Sequence, residues 1–319
     1  MRRSLGVLLS LGLLAGLPGC ASWFKTPSTV EPPPVPLAQL PQPADLVRYL
    51  NNEAAKVQSI EARNLDIQTR VKGRWVPALD GWMVCEKPKN FRLAAKKFGP
   101  QVDLGSNDRE FWFWVKEGPQ DASGRTYLFY CSYEDFEKGV QMPFPFQPEW
   151  VLQALGMAEY DPNGNYTVEQ KGGTLELIEE TTSQGQPIRK VTVFNARTIS
   201  PPGYQGMPQV VGHIVRNAQG QVISKATISR VGTTVNPASG EPIVYPREVQ
   251  LEWPAEQLTM RLSLDDVILN GSIDRNRAAG LFTRPQWRDI PAYDLARRLP
   301  EATPSSRVRP AGGYSYRGR

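Results

Sequence analysis

Between Asn64 and Lys72 apolar and polar side chains alternate, with Leu65, Ile67, Thr69 and Val71 on one face and Asp66, Gln68, Arg70 and Lys72 on the other. A period of two is the mark of a half-buried antiparallel strand. Further strand-like runs follow at 81–86, 90–98, 110–116, 126–133, 166–170, 174–180, 187–195, 209–217, 221–230, 246–253 and 257–264, most of them divided by Gly, Asn, Asp or Pro. Asn217-Ala218-Gln219-Gly220 between two alternating runs predicts a hairpin. Many short strands with almost no helix between them predict a meander sheet, a barrel or a half-barrel.

The period changes in three places. In residues 44–58, Leu46, Val47, Leu50, Ala54 and Val57 recur at three- and four-residue intervals, which predicts an amphipathic helix with Asp45 as a candidate cap. Residues 139–158 interrupt the strands: Pro143, Pro145 and Pro148 exclude a strand interior, yet Met142, Phe144, Phe146 and Trp150 are large and apolar. A short helix is expected over about 148–157, and a second helix-like patch over 285–299.

The N-terminus has a different character. Arg2 and Arg3 precede an uncharged, Leu- and Gly-rich stretch from Leu5 to Leu17, followed by Leu17-Pro18-Gly19-Cys20. That stretch is shorter than the roughly 20 apolar residues a bilayer span needs. It is the pattern of a secretory signal. The tetrapeptide resembles the bacterial lipobox, with Pro18 in place of a small residue. The expected organisation is therefore a signal peptide over 1–19, lipid attachment at Cys20, and a proline-rich linker over 20–43. Two acyl signals already anchor a protein stably, so a diacylglyceryl, N-acylated Cys20 is expected to hold the chain on a membrane. Ala21, rather than Asp, favours the periplasmic side of the outer membrane by resemblance to lipoprotein sorting. Seven prolines in 21–44 read as a semi-rigid spacer.

Charge narrows the partners. The net charge is +5 over 319 residues. Six Arg against Glu301 from Arg297 onward account for five positive charges, and Arg2 and Arg3 for two more, so the body between is about −2. A nucleic-acid-binding domain carries its basic charge on the folded body, so no nucleic-acid partner is expected. The Arg-rich tail, 300–319, reads as a solvated end or as a weak attraction for an anionic envelope polymer or lipid surface. After Cys20 only Cys85 and Cys131 remain. In an oxidising compartment both a Cys85–Cys131 disulfide and two free buried thiols fit.

Several segments together resemble the LolA/LolB lipoprotein-carrier superfamily, which includes RseB-like domains. A helix at 44–58 runs into the first alternating strand. Asp80-Gly81-Trp82-Met83-Val84 then leads to Lys87-Pro88-Lys89-Asn90-Phe91-Arg92-Leu93, and next comes the aromatic strand Glu110-Phe111-Trp112-Phe113-Trp114. The likeness is specific over 44–158 and architectural over 160–290. It implies a mainly β, α+β fold over 44–299: a curved antiparallel sheet forming an open half-barrel, with an N-terminal helix and short covering helices. It also implies a monomeric carrier that holds acyl chains of lipids or lipoproteins in a concave apolar cavity.

On that expectation Phe111, Phe113, Trp112 and Trp114 are candidates for the cavity wall, because both faces of their strand are apolar. Packing under a covering element is the competing reading for the two tryptophans. Met142, Phe144, Phe146 and Trp150 are candidates for a lid or gate, and a permanently packed cap is the competing reading. Arg92 is a candidate donor at the cavity mouth, or a strand-edge charge.

No catalytic site is expected. His213 is the only histidine, so no His cluster or HExxH metal site exists in this sequence, and no cofactor or metal is expected. There is no GxSxG elbow or phosphate loop. His213 lies in Val210-Val211-Gly212-His213-Ile214, a strand context that favours a structural role. The competing functional class is a non-catalytic envelope scaffold whose cavity is filled.

Overall fold

The computed structural model describes residues 40–96, 100–116, 124–142, 146–195, 209–236, 239–273 and 280–297. Cys20, the signal segment, the linker up to residue 39, Phe144 and the tail 300–319 lie outside the described residues.

The chain opens with helix α1 (Pro43–Ala55) and continues through strands β1 (Ser59–Val71), β2 (Arg74–Glu86), β3 (Asn90–Lys96), β4 (Pro100–Ser106), β5 (Glu110–Val115) and β6 (Leu128–Ser132). Two short helices follow, α2 (Tyr133–Glu137) and α3 (Pro148–Ala154). The second run comprises β7 (Tyr166–Lys171), β8 (Thr174–Ser183), β9 (Gln186–Asn195), β10 (Val210–Asn217), β11 (Val222–Val235), β12 (Pro242–Trp253) and β13 (Leu258–Leu269), with β14 (Ala292–Asp294) at the end.

All strands join one sheet in the order β14-β6-β5-β4-β3-β2-β1-β13-β12-β11-β10-β9-β8-β7. The strands pair antiparallel except β14, which runs parallel to β6. The two runs meet where β1 pairs with β13, Leu65 opposite Leu264 and Ile67 opposite Leu262. The sheet is curved and unclosed, the expected half-barrel.

Alternation decides which side chains point inward. Leu65, Ile67, Leu93, Leu104, Phe113, Leu251 and Leu262 share a continuous inner core with Val151, Leu152 and Leu155 of the α3 region. At the other end of the sheet, Leu46, Val47 and Leu50 of α1 pack on Leu175, Leu177 and Phe194. Burying one such side chain contributes about 1.5–3 kcal/mol, so these faces hold both helices against the sheet. Asp45 lies in the first turn of α1, but the N-cap is Gln42.

The ends of the strand order approach each other. Gln184, at the β8–β9 turn, donates from Nε2 to Phe136 O and Val140 O, both at 2.9 Å, and from its backbone N to Glu137 Oε2 at 3.1 Å. A left-handed backbone, φ 51°, turns Gln184 toward α2.

Two expectations need correction. The described part of the 285–299 patch, 285–297, is not a helix: it runs through bends and supplies β14. Its residues instead form a strap over the outer face, where Trp287 and Ile290 cover Trp112, Trp114 and Leu128. β4 and α2 are additional elements that the alternation did not reveal. Of the two states the sequence leaves open for Cys85 and Cys131, the structure has free, buried thiols. They sit in one cross-strand row, Cys85–Phe91–Ser106–Phe111–Cys131. Four strand spacings of about 4.8 Å separate them along the sheet, against the ~7 Å upper limit between Cα atoms for a disulfide.

Candidate binding site

The aromatic strand β5 divides its side chains between two faces, and neither is open. Inward, Phe113 stacks on Phe129 at 5.2 Å between ring centroids, and Phe91 meets Phe146 at 5.9 Å. Phe111 packs edge-on against Phe136 at 5.6 Å, beside Cys131. Phe146 is 2% exposed, and Met142 and Trp150 are partly buried against the same core. Phe146 and Met142 thus cap the β3–β6 half of the sheet from within, whereas Trp150 of α3 lies beside Val215, Ala226 and Trp253 of β10–β12.

Outward, Trp112 is fully buried and Trp114 meets Trp287 at 5.2 Å. Trp112 lies across β4 because position 105 is glycine: a Cβ there would stand 2.3 Å from the indole. For the tryptophans, covering by another element is therefore the arrangement found.

Arg92 is also on the outer face, not at the mouth of an inner cavity. Its Nη2 donates to Asp103 Oδ2 at 2.6 Å, and Nη1 donates to Leu281 O and Thr283 O, both at 3.1 Å. Asp103 Oδ1 also accepts from Trp112 Nε1 at 3.2 Å. Burial pushes the Asp103 carboxyl up, while Arg92 beside it acts in the opposite direction. One guanidinium therefore neutralises a buried carboxylate and ties down the start of the strap.

The space lies in the other half. A cavity of about 330 Å³ opens between α1, the segment 153–160 and strands β10–β12. Ligand pockets run from roughly 300 to 1,000 Å³, so this one is at the small end. Leu50, Val57, Leu155, Val210, Ile228 and Val231 give it an apolar lining. It exists because the inward residues there are small, branched or polar, as in the row Leu177–Thr192–His213–Ala226–Leu251.

Its roof is fixed by a reciprocal pair. Asn51 Nδ2 donates to Tyr160 O, and Tyr160 N donates to Asn51 Oδ1, both at 2.8 Å. Its polar end is a chain of side chains: Gln153 Nε2 donates to Tyr160 OH at 3.2 Å, Tyr160 OH and Thr192 Oγ1 are 3.0 Å apart, and Thr192 Oγ1 lies 3.3 Å from His213 Nδ1. His213 is 7% exposed, and burial lowers its pKa from 6.5 to about 4. The imidazole is therefore neutral at neutral pH. Tyr49, also on the wall, is pushed up to about 12 by burial and by Glu53.

Sequence reasoning missed His213, Tyr160 and Thr192 as site residues. The available signal was a polar residue at an inward position of an otherwise apolar strand. Among the described residues no cluster of His, Cys, Asp and Glu suits a metal ion, and no helix is long and apolar enough to cross a membrane.

No protein-family model matches the chain, and no curated protein does. Among solved structures it is similar to a DUF1329 family protein from Desulfovibrio piger, at 12% identity and TM-score 0.45, over 75% of this chain and 97% of that one. It is also similar to a putative outer membrane lipoprotein-sorting protein domain from Vibrio parahaemolyticus, at 9% identity and TM-score 0.47, over 74% and 97%. A LolA superfamily protein from Nitrosomonas europaea gives 11% identity and TM-score 0.42, over 75% and 97%.

Proposed function

We propose that this chain is an envelope lipoprotein, anchored through Cys20 on the periplasmic side of the outer membrane, that binds acyl chains of a lipid or lipoprotein without catalysing a reaction. The observation that carries the reading is the apolar cavity between α1 and β10–β12. Each methylene moved from water into such a space contributes about 0.8 kcal/mol. The cavity wall is bounded by a helix and a loop, α1 and 156–160, rather than by paired strands alone. The proline-rich linker then serves as a spacer, and the Arg-rich tail as a contact for an anionic envelope polymer.

The filled β3–β6 half supports a second reading, a non-catalytic envelope scaffold that uses the fold only for its surface. The two separate in one experiment. The full chain carrying Cys20→Ala, which bears no attached lipid, is purified from a bacterial envelope and examined by native mass spectrometry with solvent extraction. Bound acyl species are expected, and they are expected to disappear in Val231→Trp, which fills the cavity, and to diminish in Val244→Asp, which charges its exposed rim. A chain that emerges empty and takes up no neutral dye such as Nile red sinks the acyl reading and leaves the scaffold.

A further inference from the structure

The cavity has an inverted polarity. Its interior end holds the Gln153–Tyr160–Thr192–His213 chain, whereas its outer rim carries Val244, 51% exposed, on the same hairpin as Val235, 61% exposed. A cavity for the tail-first entry of a lipid would put its polar groups at the rim and hydrocarbon at the depth.

The hydrogen-bond chain has a direction. Gln153 Nε2 can only donate, so Tyr160 OH accepts from it. If Tyr160 then donates to Thr192 and Thr192 to His213 Nδ1, each hydroxyl proton has an acceptor. The opposite sense leaves the tyrosine proton without one in the chain. A neutral imidazole that accepts at Nδ1 carries its proton on Nε2. That nitrogen has no hydrogen-bond partner among the described residues, and the ring lies on the cavity wall. The nitrogen is not sealed from solvent, and a ligand oxygen would take the place of water on that donor.

Charge restricts that oxygen. Among the described residues no Lys or Arg lines the cavity, and Glu53, the carboxylate on its wall, is paired with Lys56 at 2.7 Å. An ionised carboxylate brought here would find one neutral donor and no counter-charge, which burial does not tolerate. An ester or amide carbonyl needs only the donor.

We infer that the cavity takes an uncharged acyl ester or amide, its carbonyl oxygen accepting from His213 Nε2–H and its hydrocarbon tail leading outward past Val231 to Val244. The inference rests on the acyl-binding reading and adds to it the head group and the orientation.

The test is displacement of Nile red, at pH 7.5, from the full chain carrying Cys20→Ala. The competitors are methyl laurate, N-methyl lauramide and laurate. The ester and amide are expected to displace the dye at concentrations at least tenfold lower than laurate. His213→Phe is expected to remove most of that preference, its folding checked by circular dichroism. Tyr160→Phe, which breaks the chain but leaves the imidazole, is expected to weaken the preference about threefold and serves in its place if His213→Phe does not fold. Laurate binding as tightly as the ester overturns the inference while leaving the acyl reading intact. So does a preference unchanged in both variants. If no acyl compound displaces the dye, the acyl reading fails and the inference falls with it.

Discussion

The β3–β6 half and the β10–β12 half of the sheet curve around the same interior, yet one is filled and the other holds a cavity. In the first, inward positions carry Phe91, Phe113 and Phe129, and Phe146 closes over them. In the second, the corresponding positions carry His213, Ala226 and Ile228. The lesson is one of volume. Large rings projecting from a concave surface meet one another and exclude everything else, so an aromatic-rich strand marks the packed wall. Space for a ligand appears where inward residues are small or branched and a helix roofs them at a distance.

Removing an aromatic from the filled half is the strongest way to break this contrast. Phe146→Ala is expected to cost about 3–5 kcal/mol, since the ring is 2% exposed and its neighbours are anchored on strands. Equilibrium urea unfolding measures this, and a loss below about 1 kcal/mol would mean that the cap is not part of the core.

Acidification acts on the other half through His213. Its folded-state pKa, about 4, lies below the ordinary 6.5, so burying the neutral ring favours folding above pH 6.5. That contribution is lost as the pH falls from 6.5 toward 4, about 3 kcal/mol in full at roughly 1.4 kcal/mol per unit. Unfolding curves at pH 7.5 and 4.5 should differ less in His213→Gln than in the parent chain. Equal differences would show that the ring titrates freely.

On the outer face, Gly105→Ala forces Trp112 from its seat and is expected to cost about 1–3 kcal/mol, as overpacking does. Trp fluorescence should shift with it, and an unshifted spectrum at unchanged stability would argue against the close packing of that ring. The smallest change is Gln184→Ala, which removes the two side-chain hydrogen bonds to Phe136 O and Val140 O at a partly buried site and should cost about 1 kcal/mol. Amide hydrogen exchange should quicken at the β8–β9 turn and α2 alone, and exchange that quickens throughout the sheet would contradict so local a role.

Much of the fold was legible because alternation reports burial directly. The β1 pattern, the α1 stripe and the hairpin at Asn217–Gly220 appear as read. β4 was not, because Pro100-Gln101-Val102-Asp103-Leu104-Gly105-Ser106 buries a charge and a glycine at positions that look like a loop. That charge makes sense only beside Arg92, eleven residues away in sequence and adjacent in space. The strap was misread for a related reason: its apolar residues serve the outer face of another part of the chain, so their spacing carries no helical meaning. The site was the least legible. The resemblance and the aromatic content both pointed to β5, and only the structure shows that its inward and outward faces are each already occupied.

Mechanically, the sheet is a split ring. Among the described residues its ladder never joins end to end, and the gap is bridged by a single glutamine reaching across from a hairpin tip. Releasing that clasp breaks three hydrogen bonds at about 0.5–1.5 kcal/mol each and no strand pairing. The two sides of the split are therefore held together by the buried core they share rather than by a continuous backbone ladder.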